Sequence, residues 1–144
     1  MYKALDVARY VINYCNQNHI GISNLKLQKV LYFIQAEFLV SNSGEDACFN
    51  DRIEAWDFGP VVPSVYRHYK LYGSANIPAT SAITYRDILP WDRDLIDGMI
   101  KKTAPYSAAE LVQITHNQAP WKDAYIPGLN REITQKSIYD YFTE

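Results

Sequence analysis

The sequence predicts a mainly α fold: a compact multi-helix bundle with one short β-hairpin laid on it. Three observations carry this expectation. Apolar residues recur at three- and four-residue steps in several separate stretches, as in amphipathic helices. Gly, Pro and N-capping residues stand between those stretches, where helices stop and restart. One short run, Ile53–Trp56, has strand character instead and leads into a Gly59-Pro60 corner. Gly59 allows backbone angles that other residues avoid, and Pro60 and Pro63 suit a loop and a first helical turn. The length of 144 residues points to one domain, 1–144, able to bury roughly 70% of the surface its unfolded chain exposes.

Leu5 to about Gln17 reads as a first helix, with Leu5, Ala8, Val11, Ile12 and Cys15 in one stripe. Ser23 or Asn24 can cap a second, from Leu25 to about Leu39. Its stripe of Leu27, Val30, Leu31, Ile34 and Phe38 is widened by Leu25, Tyr32 and Phe33, so this helix is the central one, covered on more than one side. Lys26, Gln28 and Lys29 would form its solvated side. Cys48-Phe49 and Ile53–Trp56 are expected to pair as the hairpin through Asn50-Asp51-Arg52. A third helix runs from Val61 to about Leu71 and ends at Gly73; Arg67, His68 and Lys70 give it a modest positive strip, read as solvated. Ser74 to Pro90 is loop, the segment most open to variation. A fourth helix spans Asp92 to about Thr103. Ser107 and Glu110 have capping-box spacing at the start of a fifth, which ends near Asn117. Pro120-Trp121 begins a short helical turn, and a last helix covers about Thr134 to Phe142.

Composition excludes several functions. The net charge of −2 and pI near 5.9 argue against nucleic-acid binding by this domain, which would normally be basic. No apolar run reaches the ~18 residues of a membrane span, and no signal peptide is evident at the start. Cys15 and Cys48 do not make a disulfide framework and fit a reducing cytoplasm. Metal ligation lacks paired Cys or His: only Cys15 and His19 have helical spacing, and Cys15 lies on an apolar stripe. Neither cysteine is placed as a nucleophile. No glycine pattern cradles a phosphate, so no cofactor is expected. Carboxylates such as Glu45-Asp46, Asp92 and Asp94 read as solvated caps rather than an acid–base pair. No catalytic or metal-binding set emerges.

Aromatic residues carry the positive signal. Twelve tyrosines are an unusual number, and Tyr joins a large apolar body to a polar tip, as partner surfaces require. Trp56, Phe58, Tyr66, Tyr69 and Tyr72, around Gly59 and Pro60, are the candidates for a partner-binding patch, because aromatic anchors dominate interface energetics. Core burial is the competing reading for each. His116 has two readings. It can satisfy last-turn carbonyls and pack on Trp121, which the sequence favours, or it can join Trp121 in a surface beside Trp56.

The block Glu54-Ala55-Trp56-Asp57-Phe58-Gly59-Pro60-Val61-Val62-Pro63 resembles the central signature of the SocA-like antitoxin, or Panacea, domain family. Ala8-Arg9-Tyr10, Ile22–Phe33 and Leu111 with Thr115-His116 through Pro120-Trp121 resemble its opening helix, second helix and closing motif, in that order. The resemblance implies a helical fold and a cytoplasmic protein of bacterial or phage origin. It implies a cognate protein toxin as partner, neutralised by direct contact and without chemistry by the antitoxin. It also implies two alternatives: an adaptor delivering the toxin to a Clp protease, or a phage-associated regulator acting on DNA, which the acidic balance disfavours.

Overall fold

The computed structural model of the chain describes residues 1–79 and 87–144. Its helices are α1 (Ala4–Gln17), α2 (Asn24–Ser41), α3 (Pro63–Tyr69) with a 3-10 turn at Lys70–Tyr72, α4 (Pro90–Thr103), α5 (Ala108–His116), α6 (Ala119–Ala124) and α7 (Gln135–Phe142). The strands are β1 (Ile53–Trp56), β2 (Gly59–Val61) and β3 (Glu132–Ile133). The fold is mainly α with a small antiparallel sheet, as the helical periodicities led us to expect.

Helix α2 is the axis of the molecule. Ser23 caps it, its hydroxyl accepting from Lys26 N at 3.3 Å, which satisfies one of the first-turn donors. Helices α1, α3, α4, α5 and α7 and strand β2 all pack on it. That enclosure corrects one expectation: Lys26, Gln28 and Lys29 are buried, not solvated. Lys26 Nζ donates to Ala104 O at 3.1 Å, at the C-terminus of α4. Gln28 and Lys29 hold β2, as described below.

The strand order is β2-β1-β3. The β1–β2 register pairs Glu54 with Val61, Ala55 with Pro60 and Trp56 with Gly59; β3 pairs Ile133 with Ile53. The hairpin partner of Ile53–Trp56 is therefore Gly59–Val61, with Asp57-Phe58 at the tip, and not Cys48-Phe49. The reason is the buried Gln35 of α2. Its Oε1 accepts from Cys48 N at 2.9 Å and Phe49 N at 3.2 Å, and its Nε2 donates to Phe49 O at 2.7 Å. Those backbone groups are taken by a side chain and are lost to a ladder. The hairpin's consumption of Val61 also moves the start of α3 to Pro63, at the favoured first helical position.

The remaining joints follow local rules. The capping box at Ser107 and Glu110 is formed in both directions. Residues 74–79 are fastened: Ile77 is buried, its N–H donates to Ile22 O at 2.9 Å, and its carbonyl accepts from Asn16 Nδ2 at 3.1 Å. The rest of the expected loop, residues 80–86, lies outside the described residues. Among the described residues no helix is long and apolar enough to cross a membrane.

Candidate functional site

The site starts from a polar row on α2. Asn24, Gln28 and Lys29 are buried where the apolar stripe turns toward β2. Gln28 Oε1 accepts from Val62 N at 2.9 Å, while its Nε2 donates to Asn24 Oδ1 at 2.9 Å. Asn24 Nδ2 donates to Tyr66 O at 3.1 Å, tying α3 to the same row. Lys29, with 0% exposure, donates from Nζ to Pro60 O at 3.1 Å. Burial removes water from its ammonium and pulls the amine down from the usual lysine range to about 7. Gly59 lies directly over this lysine at φ +104°, where a Cβ would fall 2.7 Å from Lys29 Cε and 2.9 Å from Thr115 Oγ1. Only glycine combines that backbone angle with so close an approach.

The tip of the hairpin is braced from behind. His116 stacks on Trp121 with ring centroids 4.0 Å apart, and Trp121 stacks on Tyr125 at 4.4 Å. Trp121 Nε1 donates to Trp56 O at 2.8 Å, and Tyr125 OH donates to Asp57 Oδ1 at 2.5 Å. That bond to a carboxylate raises the Tyr125 phenol above its ordinary range. Stacked rings thus fix both residues that enter the turn. Phe58, at the tip, is left 66% exposed. The exposed phenyl ring extends the apolar surface of the half-buried Trp56 and Tyr66 beside it.

Trp56 and Tyr66 stand beside it, half-buried, in edge-to-face contact at 5.0 Å. Trp56 Nε1 donates to Glu54 Oε1 at 2.9 Å. Trp56, Phe58 and Tyr66, with Leu25 of α2 and Lys70, wall a groove of about 420 Å³ that Asn24 and Gln28 floor. Tyr69 and Tyr72 lie elsewhere: Tyr69 is buried, and both line a separate groove with Arg9, His68 and Pro78. Gly59 and Pro60, in the second strand of the hairpin, are buried against α2, and His116 and Trp121 are half-buried behind the hairpin.

Sequence reasoning missed Leu25, Asn24, Gln28 and Lys70 as groove residues, because four distant segments must meet before the groove exists. It also missed a second cleft, of mixed polarity, where exposed Met1, Leu89 and Trp91 stand with Phe38, Asn42, Asp46 and Asp92, and where Trp91 is 65% exposed. A tryptophan in the first turn of α4, beside acidic residues, was the signal available for it. Both thiols are buried, and desolvation raises both, Cys15 to about 11, which suits packing rather than thiolate chemistry. Among the described residues no cluster of His, Cys, Asp or Glu could hold a metal.

The family model "Antitoxin SocA-like, Panacea domain" matches residues 27–122, from α2 through the hairpin to the Trp121 brace. The Antitoxin SocA of Caulobacter vibrioides (strain NA1000 / CB15N) is 34% identical over 154 residues, which span 94% of this chain and 80% of that protein. No solved structure matches. The chain belongs to the SocA-like antitoxin, or Panacea domain, family.

Proposed function

We propose that this chain neutralises a cognate protein toxin by direct contact, with the Trp56–Phe58–Tyr66 groove as the contact surface. Membership of the antitoxin family supplies the kind of partner. One observation carries the choice of surface: Phe58 is held out to solvent on a turn fixed by the Trp121 and Tyr125 hydrogen bonds, beside a preformed apolar groove. A rigid aromatic anchor loses little freedom on binding, and such anchors dominate interfaces of this kind. Nothing in this mode of action calls for catalysis; the antitoxin acts by covering or distorting the toxin's working surface.

The test is co-expression with the toxin. Phe58→Ala should abolish growth rescue while the protein remains folded. Leu71→Ala, at a fully exposed position on the other aromatic groove, should keep it. The reverse pattern would move the contact to the Tyr69–Tyr72 groove, and rescue by both variants would remove the aromatic grooves from consideration.

A second reading is a proteolytic adaptor that passes the toxin to a Clp protease. The observation in its favour is the second cleft, where the apolar side chains of Met1, Leu89 and Trp91 are exposed. Leu25 of the first groove and Phe38 of this second face lie roughly 20 Å apart along α2, at ~1.5 Å of rise per residue. Two partners could therefore be held at once. If this reading is correct, toxin levels fall when the chain is present, the fall requires the Clp protease, and Trp91→Ala prevents it.

A further inference from the structure

The geometry points to Asn24 and Gln28 as positioning residues of the contact surface: a one-way relay of amides from Val62 to Tyr66 fixes the Tyr66 wall of the groove against the Trp56–Phe58 wall. This rests on the reading of the groove as the toxin contact.

Val62 N donates to Gln28 Oε1 at 2.9 Å, Gln28 Nε2 to Asn24 Oδ1 at 2.9 Å, and Asn24 Nδ2 to Tyr66 O at 3.1 Å. Four residues apart on α2, the two side chains share one face of the helix. Both ends of the relay are backbone groups whose roles cannot be exchanged. The N–H of Val62 must meet an oxygen, so the other end of the Gln28 amide is a donor. That donor must meet the oxygen of Asn24, which leaves the Asn24 nitrogen for the carbonyl of Tyr66. Turning either amide, or both, sets like against like at two of these links. Gln28 is 1% exposed and Asn24 3%, so water cannot repair such a mismatch. One arrangement satisfies the row.

The holders also run in order. Pro60, Val62 and Tyr66 are bonded by Lys29, Gln28 and Asn24, so the chain leaving the hairpin is laid back along α2. Helix α3 needs this support. It has seven residues, and Val62, its N-cap, makes no side-chain cap bond. An isolated helix needs roughly 12–15 residues to be even marginal in water. Val65 and Tyr69 bury apolar surface in the core, but apolar contact is non-directional and leaves rotation of the helix about its axis open. Hydrogen bonds are directional. Gln28 at Val62 and, one turn later, Asn24 at Tyr66 set the rotation of α3 and so the place of the Tyr66 ring, 5.0 Å from that of Trp56. The opposite wall has its own holders, Trp121 and Tyr125. Both walls are thus set before a partner arrives, which lowers the ordering cost of binding.

The experiment measures affinity for the cognate toxin by calorimetry in wild type, Asn24→Asp, Tyr66→Ala and the double variant. Asn24→Asp keeps the acceptor for Gln28 and loses the donor to Tyr66 O. Tyr66→Ala should cost about ten-fold and Asn24→Asp about five-fold. In the Tyr66→Ala background, Asn24→Asp should cost less than about two-fold, because a residue that acts through the ring has nothing to position once the ring is gone. The full loss retained in the double variant overturns the inference, since Asn24 or its new charge would then act on the toxin directly. Gln28→Met, uncharged and of similar length, breaks two links and gives the same cycle if Asn24→Asp does not fold. Hydrogen exchange by NMR checks the wild type independently. The side-chain amides of Asn24 and Gln28 should exchange at least about ten-fold more slowly than that of exposed Gln113, and equal rates overturn the relay. Failure here differs from failure of the groove. Loss in Phe58→Ala with wild-type affinity in Asn24→Asp keeps the groove and overturns the relay. Wild-type affinity in Tyr66→Ala overturns the inference, and in Phe58→Ala as well it overturns the groove.

Discussion

At Gly59 the backbone adopts φ +104° with Lys29 Cε and Thr115 Oγ1 where a Cβ would lie. Gly59→Ala must strain the backbone and displace the buried lysine together. We expect a loss of about 2–4 kcal/mol in urea unfolding; a change within about 0.5 kcal/mol would contradict this packing. Lys29 adds a pH signature. Its amine sits near 7 in the folded chain against ~10.4 in an unfolded one. Between those values the unfolded state holds a proton that the folded state lacks, so stability rises with pH across that window and this group adds no slope below it. Compared with Lys29→Met, the wild type should gain on the order of 1 kcal/mol per pH unit above ~7.5. Parallel stability curves for the two proteins would show that the lysine is not buried as described. The glycine's backbone role was legible in the sequence, but the lysine's was not, because a lysine on a helix is normally solvated and only the docking of β2 over α2 buries this one.

Among the elements, legibility followed how local the cause is. The stripes of α1, α2 and α4 and the Ser107–Glu110 box depend on neighbours within a turn or two, and they stood in the sequence plainly. Strand β2 did not, because Gly-Pro-Val is a poor strand by propensity. Its position explains the tolerance. Ala55, which faces Pro60, sends its own N–H to Arg131 O at 2.8 Å, away from β2, so the N–H that proline lacks is not required there. Of the candidate site, Trp56, Phe58 and Tyr66 could be found because aromatics cluster around a Gly-Pro corner. The parting of Tyr69 and Tyr72 into a second groove could not, since it depends on the 3-10 turn and the packing of α1. The brace by α6 is also tertiary, and it makes a prediction at this scale. Trp121→Phe keeps a ring in the stack but removes the donor to Trp56 O. It should cost about 1 kcal/mol of stability and weaken toxin binding by loosening the turn. Wild-type values for both would show that the brace does not govern the site.

The whole molecule sets α2 through the core and places different surfaces around its two ends. Near the N-terminal half of the helix lie the aromatic groove and the carboxylate-free stretch from Val61 to Ala79. Near the other end lie Met1, Leu89 and Trp91 with Asp46 and Asp92. On the proposed reading, the groove at one end of α2 is the contact surface and the cleft at the other end is a separate surface. The most direct test is calorimetry of the purified toxin with wild type, Phe58→Ala and Trp91→Ala, each first checked for an unchanged unfolding midpoint. Phe58→Ala should lose at least ten-fold in affinity, about 1.4 kcal/mol or more, with Trp91→Ala binding as wild type does. Wild-type affinity in Phe58→Ala would contradict the proposal that this groove is the toxin contact.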